Sequence, residues 1–243
     1  MLKQINPGTH KENTMKIARS NSRTSLIAIG AALVAACTAT ASVNKNLPAT
    51  TEDGLTLIPA KHVDALYWRE GATLAPYTAV KIAECTVAFR KDWLRSQNSG
   101  RSTVGTRVRP EDMERIKAAL AEEFDKEFTK VLEKAGYSVV EEAGDNVLLL
   151  HPSIINLDVA APDLQTAGMV RTYTASAGEM TLYVELYDSA TGAKIGQALD
   201  RQRAMDTGHF SYSNRVTNRT EADRILRKWA GLLVEALDEA KAR

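Results

Sequence analysis

Cysteine is scarce. Only Cys37 and Cys85 occur in 243 residues, so the chain cannot rest on a disulfide framework. Net charge is nearly absent too: 31 Lys and Arg against 30 Asp and Glu leave +1, which removes the broad electrostatic case for nucleic acid. The four histidines show no pair one helical turn apart, the spacing that would hold a metal on a helix. Gly100 and Gly105 are not followed by Lys-Ser or Lys-Thr, which excludes a phosphate-binding loop. No cofactor, metal or nucleic-acid partner is expected from these patterns.

The N-terminal region carries the sharpest signal. Two starts compete, Met1 and Met15, and residues 1–14 read as a mis-start or an extended polar leader. From Met15 the chain has Lys16, Arg19 and Arg23 with no acidic residue, then an apolar run over 26–36. About 20 apolar residues are needed to span a bilayer, and this run is much shorter. Positive flank, short apolar core and small residues at the cut describe a signal peptide over 1–36. The segment Val34-Ala35-Ala36-Cys37 resembles a bacterial lipobox, in which the cysteine thiol receives a lipid. That resemblance implies lipidation at Cys37, with two or more acyl chains anchoring stably at about 0.8 kcal/mol per buried methylene. A plain signal peptide that happens to contain a cysteine is the competing reading. Thr38 rather than Asp follows, which by analogy favours the outer membrane over the inner. The domain is then expected on the periplasmic side of the envelope, held to the membrane through its lipid.

Residues 37–56 are small and polar without periodicity, a tether, and the folded part is expected over 57–243. Residues 67–71 suggest a short edge strand. Residues 77–89 suggest one long strand with a bend, because Val80 and Ile82 alternate on one parity and Cys85, Val87 and Phe89 on the other. Cys85, in that run, reads as a buried thiol. Pro110 begins a helix whose apolar stripe is Met113, Ile116, Leu120, Phe124, Phe128 and Val131, ended by Gly136. Two strands follow over 137–141 and 147–159, then a hairpin with arms near 180–187 and 193–204. A last helix is expected from Thr220, burying Ile225, Trp229, Leu232, Leu233 and Ala236. The order β-α-β-β-β-β-α predicts a single α+β domain. Its sheet is mixed and mostly antiparallel, of about five strands, with two helices packed on one face.

Several stretches together are similar to an uncharacterised family of proteobacterial lipoproteins, domain of unknown function 3313. They are Gly71-Ala72-Thr73-Leu74-Ala75-Pro76-Tyr77, Phe89 with Trp93, Gly136-Tyr137, Leu148 to Pro152, Ala177-Gly178-Glu179-Met180, Asp188 with Thr191-Gly192, and Trp229-Ala230. The resemblance spans nearly all of the chain after Cys37 and implies no catalytic residue.

The search for chemistry is nearly empty. His151 precedes Pro152 within a strand and reads as structural. Glu122, Glu123, Asp125 and Glu127 interleave with Lys126 and Lys130, the pattern of a solvated helix face. Arginines 201, 203, 215, 219, 224 and 227 gather in the C-terminal third and read as scattered surface charge, with an anionic partner as the alternative. The loop holding His209, Phe210 and Tyr212, with Arg215 and Arg219, is the expected partner-contact region. The reading is a non-enzymatic, lipid-anchored envelope protein that binds an unknown envelope protein or glycan and serves assembly or maintenance of the outer membrane. A hydrolase or small-molecule binder built on His209 and Ser211 is the alternative, and a purely structural subunit a third.

Overall fold

Met180, Leu182, Val184 and Leu186 alternate with Thr181, Tyr183, Glu185 and Tyr187, so one strand carries an apolar and a polar face. In the computed structural model this is β8 (Gly178–Asp188), central in the sheet. The structure describes residues 47–99, 107–159, 173–174, 178–203, 211–212 and 215–242, all within the compact unit Thr40–Arg243. The expected signal peptide and Cys37 lie outside the described residues.

The chain runs β1 (Thr56–Ile58), β2 (Ala65–Trp68), β3 (Ala79–Ile82), β4 (Thr86–Phe89), α1 (Trp93–Asn98), α2 (Pro110–Lys134), β5 (Ser138–Val139) and β6 (Val147–Val159). It continues with β7 (Tyr173–Thr174), β8, β9 (Lys194–Arg203), β10 (Ser211–Tyr212) and α3 (Arg215–Ala242). The main sheet has the order β1-β2-β9-β8-β6-β3-β5, with β4 also on β6, and β7 pairs β10 separately. Strands β1, β2, β9, β8 and β6 are antiparallel neighbours, whereas β3, β4 and β5 join in parallel. The α+β class and mixed sheet agree with the pattern; the main sheet has eight strands rather than about five. Two physical reasons account for the excess. Residues 77–89 form two strands rather than one bent one, both paired with β6, and the parity change marks the break at residues 83–85. The others are β1, three residues whose pairing comes from a neighbour, and the edge strand β2, which the order β-α-β-β-β-β-α does not count. The expected edge strand is β2, and it lies between β1 and β9.

One core unites both long helices with one sheet face. Phe124, Phe128 and Leu132 of α2 and Leu226, Trp229, Ala230 and Leu237 of α3 pack with Val80, Leu148, Leu150, Ile154, Leu182 and Leu186. The Phe124 and Phe128 rings stack at 4.0 Å between centroids. Pro110 opens α2, and the Asp112 carboxylate accepts the Arg109 N–H at 2.9 Å. Gly136, at φ 89, lets the chain leave the helix, with the Tyr137 N–H donating back to the Leu132 carbonyl at 3.0 Å. Helix α3 begins at Arg215, five residues before Thr220, because a threonine signals a cap only where the preceding residues leave the helix. Its buried residues include Leu226, Ala230 and Leu237, while Ala236 is exposed. No helix among the described residues is long and apolar enough to cross a membrane.

Residues 47–56, expected as the end of the tether, pack against the sheet. Leu55 is fully buried with Ala65 and Tyr67, and the Tyr67 hydroxyl donates to the Pro48 carbonyl at 3.0 Å. Because Tyr67 pairs with Gln197 and Ala65 with Leu199, this strap covers the sheet face opposite the helices.

Candidate functional site

Tyr183, Glu185 and Tyr187 of β8 point away from the helix-covered core, and they form one hydrogen-bonded array. Glu185 sits between Tyr183 and Tyr187, accepting their hydroxyls at 2.7 and 3.0 Å. From β9, Lys194 donates to Glu185 at 2.6 Å and to Asp53 of the strap, also at 2.6 Å. The Tyr183 hydroxyl further lies 3.1 Å from Gln197 Oε1. Exposed His151 of β6 stands opposite Glu185 in register, its ring 5.2 Å from that of Tyr187. Farther along, the Thr86 and Ser153 hydroxyls bond at 2.8 Å.

The electrostatics make this array fixed rather than reactive. Burial pushes the Glu185 carboxyl up, but Lys194, Tyr183 and Tyr187 outweigh it and hold it below the usual range. Burial and the Glu185 carboxylate push Tyr183 up to about 12. Lys194 is lowered by burial and raised more strongly by Asp53 and Glu185, so it stays charged. Near neutral pH the array is an ionised Lys–Glu pair with two neutral tyrosines, a set of preoriented donors and acceptors beside aromatic faces. It offers hydrogen bonds, not a poised acid or base.

His209 and Phe210 lie outside the described residues. Tyr212 is in β10, paired in register with Tyr173, and Arg215 is the first residue of α3; the structure describes neither side chain. Arg219 is engaged within the domain, donating to Glu123 Oε2 at 2.6 Å. The other described arginines of that group are also paired: Arg201 and Arg203 with Glu179, Arg224 with Glu221, and Arg227 with Glu127 at 3.5 Å. Cys85 is buried as expected, and burial pushes its thiol up to about 12 against the lowering effect of the Ile154 backbone.

The acidic run on α2 is corrected by the structure. Glu122 and Asp125 are exposed, but Glu123 and Glu127 retain only 7 % and 3 % exposure. They flank Phe124 and Phe128 on the side where α3 lies, and Asp223 of α3 joins them. The Lys126 and Lys130 spacing describes neighbours along α2 and is silent about a second helix. Glutamates next to a phenylalanine row at the same four-residue step were the available signal. The Tyr183–Glu185–Tyr187 array was also missed, since alternation alone marks those residues as outward-facing and not as mutually bonded.

Solved structures with related arrangements have low identity. A DUF330-family protein from Xanthomonas campestris is 12 % identical, covering 69 % of this chain and 87 % of its own, with a TM-score of 0.36. A putative neuraminyllactose-binding hemagglutinin homolog from Helicobacter pylori is 11 % identical over 72 % of this chain and 89 % of its own, TM-score 0.36. A minor lipoprotein from Acinetobacter baumannii is 8 % identical over 65 % and 94 %, TM-score 0.30. No curated protein matches the chain. A family model described as a protein of unknown function, DUF3313, matches residues 56–233.

Proposed function

From the premise that the chain belongs to the DUF3313 family, we propose that it is an envelope lipoprotein. In this reading Cys37 carries the lipid, and the domain faces the periplasm from the outer membrane. There it acts as a non-enzymatic module that binds another envelope component, protein or glycan, in assembly or maintenance. The observation that carries the binding role is the outward sheet face, where Lys194, Glu185, Tyr183 and Tyr187 are locked together beside exposed His151. Preoriented polar and aromatic groups bind with less ordering cost than mobile ones. An anchor would confine the module to a thin layer and raise the effective concentration of partners held there. The anchor itself is supported by the basic flank, the apolar run and Val34-Ala35-Ala36-Cys37.

The test is fractionation of cells expressing the full chain and Cys37→Ala, with mass measurement of the mature N-terminal peptide. The expected result is an acylated Cys37 in the membrane fraction, lost in the variant. An unmodified, soluble protein would overturn the anchor. For the binding role, a photo-crosslinking residue is placed at exposed His151 and, as a control, at exposed Lys228 of α3. A discrete adduct from the first position alone supports the sheet face, and equal labelling from both removes it.

A further inference from the structure

The carboxylates between α2 and α3 present a problem that the sheet-face reading does not touch. Glu123 and Glu127 stand one turn apart on α2, Asp223 faces them from α3, and one oxygen of each lies within 4.8 Å of the others. Both oxygens of Glu123 are engaged, by Lys126 at 2.7 Å and Arg219 at 2.6 Å. Glu127 is nine-tenths buried and more, yet its Oε2 receives no hydrogen bond, and neither does the buried Oδ1 of Asp223. The basic groups beside Glu127 sit at ion-pair rather than hydrogen-bond distance: Arg227 Nε 3.5 Å from Oε2, and Lys130 Nζ and Lys126 Nζ 3.8 and 4.0 Å from Oε1. Arg227 Nε donates instead to the Asp223 carbonyl at 2.9 Å. Burial and the two glutamates push the Asp223 carboxyl up, against the opposing effect of Arg219 and Arg227.

A buried carboxylate oxygen without a donor is costly, by about 1–3 kcal/mol or more. Arg227, Lys130 and Lys126 supply charge near Glu127 but no hydrogen bond to its Oε2, so two buried oxygens keep unfilled lone pairs beside a third acidic group. A proton joins only two oxygens, about 2.5–3.0 Å apart. A hard divalent cation binds oxygen at about 2.3–2.6 Å and so gathers several oxygens within about 5 Å of one another. Three oxygens gathered within 4.8 Å fit the second case. The donors are all carboxylate oxygen, which suits calcium or magnesium rather than zinc. Calcium tolerates irregular ligand geometry and completes its shell with water. We infer that Glu123, Glu127 and Asp223 form a divalent-cation site of the calcium class that ties α2 to α3. Glu127 and Asp223 supply the free oxygens. Glu123 supplies the third through its remaining lone pairs, while Lys126 and Arg219 stay on it.

The test uses the full chain in detergent, stripped with EDTA and titrated with calcium chloride by calorimetry, with melting followed by circular dichroism. One saturable site and a Tm rise of several degrees in millimolar calcium are expected. Glu127→Gln and Asp223→Asn each keep the helical spectrum, weaken binding at least about tenfold and lose the Tm rise. Glu122→Gln, exposed on the same helix, leaves both unchanged. Absence of saturable binding for calcium and magnesium, or unchanged binding in both variants, overturns the site. So does a Tm that ignores cations but rises on mild acidification, which would assign the two free oxygens to a shared proton.

Discussion

An ammonium group on a sheet, with 9 % of its residue surface exposed, is stable only with partners. Lys194 has two, Glu185 and Asp53. Replacing it by methionine keeps the volume and strands Glu185, so Lys194→Met is expected to cost about 2–4 kcal/mol at pH 7 in denaturant unfolding. The pH dependence follows from the signs. Lys194 is raised, so its contribution is complete below the unfolded value near about 10.4 and is lost as pH rises through the folded value. Glu185 is lowered, so its contribution is present above about 4.3 and is lost as pH falls through the folded value. The gap between wild type and Lys194→Met therefore narrows at both ends, and a gap constant from pH 3 to 11 would show the pair to be idle. Gly196 makes a separate demand. A Cβ there would collide with the Trp68 ring and come within 2.9 Å of the Tyr67 carbonyl oxygen. Gly196→Ala is expected to lose about 1–3 kcal/mol, read as a lowered urea midpoint. The Gly196 demand was not legible in the sequence, since it depends on β2 lying beside β9, whereas Lys194 and Glu185 face each other across the expected hairpin and only the Asp53 contact was hidden.

Helix α2 was legible almost to the residue, because Pro110, one apolar stripe and Gly136 are all local signals. Strands β6 and β8 were legible for the same reason, being long and patterned. Strand β1 was not, since three residues carry no period, whereas β5 was placed within 137–141 but is only two residues long. Helix α3 was read correctly in kind but not at its ends. Its start at Arg215 and the burial of Leu237 depend on the surface it covers. Leu237 lies beyond residue 233, where the family match stops, yet it is fully buried in the common core. Leu237→Ala is expected to cost about 2–5 kcal/mol, comparable with Phe128→Ala at about 3–5 kcal/mol. A neutral Leu237→Ala in thermal unfolding would mean that the end of α3 frays from the core.

At the scale of the whole molecule, the strap decides where the fold starts. Composition marks residues 37–56 as a tether because Thr, Ala and Pro lack period, and composition cannot see that Leu55 finds a cleft beside Tyr67. The strap adds three things at once: a buried leucine, the Tyr67 hydroxyl bond to Pro48, and Asp53 on Lys194. Burying one leucine contributes about 1.5–3 kcal/mol. Losing Asp53 leaves Lys194 with one partner instead of two. A chain beginning at Leu57 is therefore expected to be less stable than one beginning at Thr40 by about 3 kcal/mol, measured by denaturant midpoint at equal slope. Asp53→Asn within the longer chain separates the charge from the packing and should recover under half of that loss. If both chains unfold together, the strap is a passenger on the sheet, and the Lys194–Glu185 pair holds the outward face alone. If the shorter chain is weaker as expected, residues 47–56 are part of the fold and brace the outward sheet face through Asp53 and Lys194.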